Sequence, residues 1–368
     1  MEDFGRVQER PQADLSSAPK RLRPFFEAEP DLWPVYDKLR RHTGGLRSST
    51  YEITDRCNLR CEGCFFFDGD EYAGRSELTD AAQWQAFFAA EAERGINFAY
   101  LAGAEPSMVP DRLKIAAEHF PRGTIVTNGT RRIDKDLPYR LHISLWGDGE
   151  MSAKLRGGDV FHKPLRMYAE DPRAVFMMTV SKHNAHQIET VASACAEYGV
   201  KLTFSHFSPP ETYLQKLEEG AEKDDFFHAS SKDDNMLLDP ATLRRVREAI
   251  ERVMDRLPDT IVYSREYNDW TTQPEGLYEI DPETGWALDC APRSVSYYER
   301  FRPDQSSEGA KCCLPNLDCR HCRAYAVAQP SMMSWFRQQS RDLSGFRRWL
   351  GTSELWARIN IMGWDQLD

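Results

Sequence analysis

The sequence predicts an α/β fold: a partial (β/α)6 barrel of TIM type, with a C-terminal cysteine-rich extension and a helical tail. Three observations carry this reading. Between residues 48 and 207 short apolar runs alternate with helical stretches, and repeated strand–helix units give parallel strands joined by right-handed crossovers. Cys57, Cys61 and Cys64 directly follow the first strand-like run, which places them beyond a strand's C-terminal end, where sites on such sheets lie. The 368 residues, 41% of them hydrophobic, accommodate one barrel plus a smaller appendage.

The elements follow in order. Residues 1–47 are polar and carry Pro11, Pro19, Pro24, Pro30 and Pro34; stretch 32–41 has the pattern of a short amphipathic helix on a surface wrap. A strand is expected at 49–54 and a helix at 78–94, started by Thr79 and Asp80. Strand 98–102, helix 111–119, and strands 123–127, 140–146 and 174–180 come next, then helix 184–198 and strand 200–205. Residues 208–238 are charged and turn-rich and read as a loop or linker, followed by a helix over 241–256 after Asp239-Pro240. Stretch 259–330 shows weak strand signals at 260–263 and then a second group of cysteines. Trp335, Phe336, Phe346, Trp349, Leu350, Leu355, Trp356 and Trp364 mark a helical tail docked on the body. The chain thus divides into a wrap (1–47), a core barrel (48–207), a linker and helix (208–284), a metal-binding extension (285–330) and a tail (331–368).

Composition removes several classes of function. Lys and Arg total 47 against 58 Asp and Glu, and a net charge of −11 lacks the basic footprint of a nucleic-acid binder. No apolar run approaches the ~18 residues of a membrane span, and the polar N-terminus lacks a secretory apolar stretch. A cytoplasmic location is expected, where nine cysteines point to metal or redox use rather than disulfides. Cys195 stands alone on an apolar helical face and reads as a buried small hydrophobe.

Cys57-Asn-Leu-Arg-Cys61-Glu-Gly-Cys64 has the spacing C-x3-C-x2-C. Three thiolates on one tight loop can grip three irons of a [4Fe–4S] cube, leaving the fourth open to a small ligand. A zinc site or unrelated thiols are the alternative, although zinc sites commonly pair C-x2–4-C with a distant second pair. The spacing resembles the signature of the radical S-adenosylmethionine (SAM) superfamily, in which SAM chelates the open iron. One electron from the cluster then splits SAM into methionine and a 5′-deoxyadenosyl radical.

Further runs are similar to that family. Ala102-Gly103-Ala104-Glu105-Pro106 resembles its Gly-Gly-Glu-Pro, with Ala104 in place of one glycine; the resemblance implies that the backbone polar groups of Gly103, Ala104, Glu105 and Pro106 hold the SAM amino group. Thr127-Asn128-Gly129 resembles the strand ending near the adenosine, which implicates Asn128. His142-Ile-Ser144-Leu-Trp146 and the following Leu155-Arg156-Gly-Gly resemble the branch with C-terminal auxiliary clusters. There Ser144 would approach the ribose, and the forked Arg156 guanidinium would pair with the SAM carboxylate. Trp146, where the family often has Asp, is a wall residue or a substrate contact. Gly63 stands where an aromatic is frequent, so Phe65, Phe66 or Phe67 is the candidate replacement, with simple packing as the alternative. His142 shares a strand face with Ser144 and reads as structural.

The second group comprises Cys290, Cys312, Cys313, Cys319 and Cys322. It is similar to the SPASM or twitch extensions of that branch, which implies an auxiliary [4Fe–4S] cluster; structural zinc and unliganded thiols remain alternatives. Cys312 and Cys313 are adjacent, so one of them is expected to be the main ligand, and His321 is a possible substitute. The resemblance implies an enzyme that forms the adenosyl radical and takes hydrogen from a C–H bond of a small organic substrate, in an oxidation or rearrangement. It also implies an external electron donor such as flavodoxin or ferredoxin. The sequence names no protein acid or base. Ribosomal-peptide maturation is an alternative, although residues 1–47 are short for the peptide-recognition domain such enzymes commonly carry. Adenosyl transfer to a lipid-like acceptor and a non-catalytic metal-binding barrel are the others.

Overall fold

The computed structural model describes residues 15–67, 76–307 and 317–367. Seven parallel strands form one sheet: β1 (Ser48–Glu52), β2 (Phe98–Ala102), β3 (Gly123–Thr127), β4 (Arg140–Leu145), β5 (Ala174–Val180), β6 (Lys201–His206) and β7 (Arg300–Phe301). Their order is β6-β5-β4-β3-β2-β1-β7. The six expected strands follow one another across the sheet, and β6 does not pair with β1, so the barrel is partial. Strand β7 is additional. It spans two residues and matches Thr50 to Arg300 and Tyr51 to Phe301, too short a run to be seen as periodicity.

The helices are α1 (Arg23–Ala28), α2 (Leu32–Thr43), α3 (Ala81–Glu93), α4 (Pro110–His119), α5 (Gly149–Arg156), α6 (His162–Tyr168), α7 (Ile188–Glu197), α8 (Glu211–Glu219), α9 (Pro240–Arg256), α10 (Arg265–Thr271), α11 (Ala291–Ser294), α12 (Tyr325–Ser334), α13 (Phe336–Gln339) and α14 (Leu343–Asn360). Side-chain caps start several of them: the Asp80, Asp148, Asp239 and Asp342 carboxylates each accept a first-turn N–H. Helix α9 turns Leu243, Val246, Ile250 and Val253 inward at helical spacing and packs on α7. Cys195 is buried in α7, as its apolar surroundings predict.

Two stretches differ from the sequence reading. Residues 208–238 hold helix α8, whose Tyr213 and Leu217 are buried one turn apart among charged neighbours. Two buried residues give too narrow a stripe to announce a helix. The connection from β4 to β5 carries α5 and α6, where no helix was expected.

The tail closes the N-terminal end of the strands. In α14, Asn360 Oδ1 accepts from Thr124 Oγ1 at 2.9 Å, Trp356 Nε1 donates to the Tyr100 hydroxyl at 2.7 Å, and the Arg358 carbonyl accepts from Arg140 at 3.0 Å. Helices α1 and α2 dock on the same tail through Phe26, Trp33 and Tyr36, which pack with Phe346 and Leu350. No helix among the described residues is long and apolar enough to cross a membrane.

Candidate active site

The cysteine loop leaves the C-terminal end of β1 and is held by main-chain bonds on two sides. Arg60 N–H donates to the Arg156 carbonyl at 3.2 Å and Glu62 N–H to that of Leu155 at 2.8 Å, which ties the loop to the end of α5. Gly63 N–H donates to the Phe226 carbonyl at 2.7 Å on the other side. Gly63 has φ +58°, and a Cβ there would lie 3.1 Å from both Phe207 and Tyr213. The positive φ and the two close rings together favour glycine at this position. Phe65 and Phe66 line the adjoining cavity, whereas Phe67 stacks on Phe226 at 5.1 Å.

The three thiols are half-buried and line one cavity of about 500 Å³. Burial pushes the Cys57 and Cys64 thiols up, and the neighbouring thiol charges add to the rise. A bound cation reverses that logic, because a coordinating thiol is deprotonated. The Cys57 sulfur accepts from Leu59 N–H at 3.4 Å and from Asn128 Nδ2 at 3.9 Å, and N–H groups aimed at sulfur suit a thiolate ligand. Among the described residues no three His, Cys, Asp or Glu side chains are gathered tightly enough to form a ready metal site.

Of the expected cofactor residues, Gly103, Ala104, Glu105, Asn128, Ser144 and Arg156 all line this cavity; Pro106 does not, and starts a buried 3-10 turn over Pro106–Met108. Gly103 has φ +122°, and a Cβ would meet the Thr54 carbonyl oxygen at 2.7 Å, so glycine is required there. Ala104 donates its N–H to that carbonyl at 2.9 Å and tolerates its methyl. The Glu105 carboxylate is buried and already engaged: it accepts from Thr127 Oγ1 at 2.6 Å, Asn128 N–H at 2.7 Å and Ser107 N–H at 3.0 Å. At the cavity wall its carboxylate joins the ends of β2 and β3. Arg156 is 3% exposed, donates to the Ser144 carbonyl at 2.7 Å, and leaves its buried Nε without a hydrogen bond. Its positive charge reaches the Cys57 thiol.

Trp146 lines the cavity and meets Phe207 edge-on at 6.4 Å. His142 is structural as expected, with Nε2 2.8 Å from the Ile359 carbonyl and Nδ1 2.8 Å from the Tyr325 hydroxyl, although it also borders the cavity. Ser48, Thr50 and Glu52 of β1 line the wall at alternate positions, and Glu52 pairs with the buried Arg300 of β7. The sequence reading missed this pair, whose only signal was the two-residue period of β1.

The second cysteine group borders the barrel through the segment after β6. Asp318 N–H donates to the Pro209 carbonyl at 3.1 Å and Arg323 N–H to Ser208 Oγ at 2.9 Å. Cys290 and Cys322 are buried and Cys319 is half-buried, while Cys312 and Cys313 lie outside the described residues. Burial raises the Tyr278 and Tyr267 phenols, with smaller contributions from Cys322 and Cys290 at Tyr278 and from Tyr263 and Cys322 at Tyr267. His321 is half-exposed, with Nδ1 3.3 Å from Asp318, which also pairs with Arg320.

No protein-family model matches the chain. Three curated proteins share parts of it. A probable GTP 3′,8-cyclase of Methanopyrus kandleri is 37% identical over 91 residues, 24% of this chain and 29% of that one. The sporulation killing factor maturation protein SkfB of Bacillus subtilis is 22% identical over 170 residues, 41% of this chain and 40% of that one. The mycofactocin maturase MftC of Mycobacterium ulcerans is 27% identical over 177 residues, 44% of this chain and 47% of that one. This chain therefore spans less than half the length of each. Among solved structures, Streptococcus suis SuiB bound to S-adenosylmethionine covers 78% of this chain and 68% of its own, at 16% identity and a TM-score of 0.49. These likenesses stand beside an open parallel sheet with a three-cysteine loop beyond β1. The three curated relatives are radical SAM enzymes, and this chain is similar to them over the stretches it shares.

Proposed function

We propose that this chain generates a 5′-deoxyadenosyl radical from SAM and uses it to take hydrogen from a C–H bond of an organic substrate held in the barrel cavity. The observation that carries the reading is the placement of the three thiols and the buried Arg156 on one cavity. Arg156 has no carboxylate partner among the described residues, which fits a ligand carboxylate. Cys57, Cys61 and Cys64 would hold a [4Fe–4S] cluster, which with SAM supplies one-electron chemistry. The chain's own residues orient and enclose. Gly103 and Ala104 present close backbone, Asn128 bonds Asn58 of the cysteine loop at 2.9 Å, and Ser144 offers a hydroxyl at the end of β4. Trp146, Phe207 and Met177 shield the chamber from water.

Anaerobic reconstitution with iron and sulfide, followed by dithionite and SAM, should release 5′-deoxyadenosine. Replacing Cys57, Cys61 and Cys64 together by Ala should abolish that release. Undiminished release from the triple variant would refute the assignment.

Oxidation or rearrangement of a small molecule is the first reading of the outcome. A peptide substrate is the second, favoured by the maturation named for two of the three curated relatives. An auxiliary [4Fe–4S] cluster on the second cysteine group, with zinc as the alternative, is supported by burial of Cys290 and Cys322. The buried Tyr267 hydroxyl, which has no hydrogen-bond partner among the described residues, offers a donor to a thiolate there.

A further inference from the structure

Glu62 lies between Cys61 and Cys64 and is fully buried. Its carboxylate reaches across to a turn far along the chain. Oε2 accepts from the His228 N–H at 2.6 Å and the Ala229 N–H at 2.8 Å, and Oε1 from the Ser230 N–H at 3.0 Å. The His228 ring Nδ1 lies 3.5 Å from the same carboxylate. Around this staple the Phe226 carbonyl accepts from Gly63 N–H at 2.7 Å, and Phe226 stacks on Phe67. The turn is itself braced. Asp224 Oδ1 accepts from the Phe226 and Phe227 N–H groups at 2.7 and 2.8 Å, Lys216 of α8 pairs with Asp224 at 2.8 Å, and Tyr213 of α8 bonds Ser230 at 2.6 Å. Helix α8 and the turn thus form a unit laid over the thiol loop.

Nothing in packing alone demands a carboxylate here. Leu155, Phe207, Tyr213, Leu217, Phe227 and Met236 already form an apolar cluster beneath the turn. A buried carboxylate with three main-chain donors is a directional device: it fixes one segment against another at a set distance.

We propose that Glu62 is a positioning residue for the cysteine loop, and that the 224–230 turn it staples is a fixed cover over the Cys61–Cys64 side. This rests on the metal-ligand reading of the three thiols, but the cover itself is a property of the chain. With it in place, the loop keeps one shape before metal arrives and water and oxygen reach the thiols slowly. The carboxylate also sets a fixed negative charge beside the loop, which disfavours adding an electron to a cluster there.

The test compares wild type, Glu62→Gln and Phe226→Ala. Phe226→Ala removes the ring that stacks on Phe67 and lies against Arg60 while leaving the main-chain bonds to Glu62 in place, and serves if Glu62→Gln does not fold. In metal-free protein, iodoacetamide labelling of Cys61 and Cys64, read peptide by peptide, should run about fivefold or more faster in either variant. Labelling of Cys195 in α7 should stay unchanged. Amide exchange at 228–230 should accelerate in Glu62→Gln. After reconstitution, the cluster absorbance should bleach several-fold faster in air, and the midpoint potential of Glu62→Gln should move positive, a shift that loosened packing does not predict. Labelling, exchange and potential equal to wild type in folded variants would overturn the proposal. If wild type takes up no iron, the cluster reading fails, yet the labelling ratio of the metal-free chains still decides whether the cover exists.

Discussion

Arg156 donates through Nη1 to the backbone carbonyl of Ser144 at 2.7 Å, which fixes a buried guanidinium where the ends of β4 and α5 meet the cysteine loop. The anchor is a main-chain oxygen, so Ser144→Ala removes a hydroxyl and leaves the guanidinium in place. Arg156→Ala is expected to lower SAM affinity about ten- to a hundredfold, the loss of a charge-assisted contact of about 1.5–3 kcal/mol. Ser144→Ala should lower it less, and both should keep their iron. Equilibrium dialysis of SAM against reconstituted proteins of matched iron content checks this; an unaltered affinity in Arg156→Ala would leave its guanidinium a purely structural role.

Glu105 is a second buried charge, and its three protein donors give it a different duty. Its carboxylate joins β2 to β3 through Thr127, Asn128 and Ser107. Glu105→Ala strands those donors in the interior and should cost about 3 kcal/mol or more of folding stability. Thr127→Val removes one of the bonds and should cost about 1 kcal/mol. Urea unfolding measures both, and a loss below that of Thr127→Val in the Glu105 variant would contradict the assigned role.

The sequence announced what depends on local pattern. Runs such as Ala174–Val180 are buried along nearly their whole length, so their apolar character marks them as strands of a covered parallel sheet. The cysteine loop was legible from its spacing after a strand, and the cavity-lining residues after β2, β3 and β4 from their resemblance to a known family's strand endings. What stayed hidden depends on partners remote in sequence. Glu62 is an unremarkable acid until residues 228–230 fold against it, 166 to 168 positions away. The bonds that Thr127 and Asn128 make to the Glu105 carboxylate likewise join strands whose adjacency only the fold reveals. Helix α8 carries so few apolar residues that only its packing against Phe207 and Phe227 defines it.

Acid should destabilise the fold through its buried imidazoles. Burial lowers the His142 pKa from 6.5 to about 4, in keeping with a neutral ring between the Tyr325 hydroxyl and the Ile359 carbonyl. Below the ordinary value the unfolded chain binds a proton that the folded chain refuses, so stability falls as pH drops from about 6.5 towards 4. The loss approaches about 3 kcal/mol for this one group. His206, lowered by burial to about 3, acts in the same direction. Urea midpoints taken between pH 7 and pH 5 should fall in wild type and fall less steeply in His142→Gln. Parallel pH profiles would show that His142 does not bear this part of the acid sensitivity.

The extension is tested by its metal content. Cys290 and Cys322 are buried, and the buried Tyr267 hydroxyl has no hydrogen-bond partner among the described residues, an environment that suits a bound group. With a second four-iron cluster, reconstituted wild type should approach about eight irons per chain, and the variant lacking Cys57, Cys61 and Cys64 should keep about four. Replacing Cys290 and Cys322 by Ala should remove the second set while leaving the first, so that 5′-deoxyadenosine is still released from SAM. About four irons plus one zinc in wild type would instead make the extension a structural metal site, whose loss lowers stability and carries no electron. Four irons with no zinc would mean that these thiols hold nothing. The substrate radical's electron would then have to leave by a route other than the C-terminal extension.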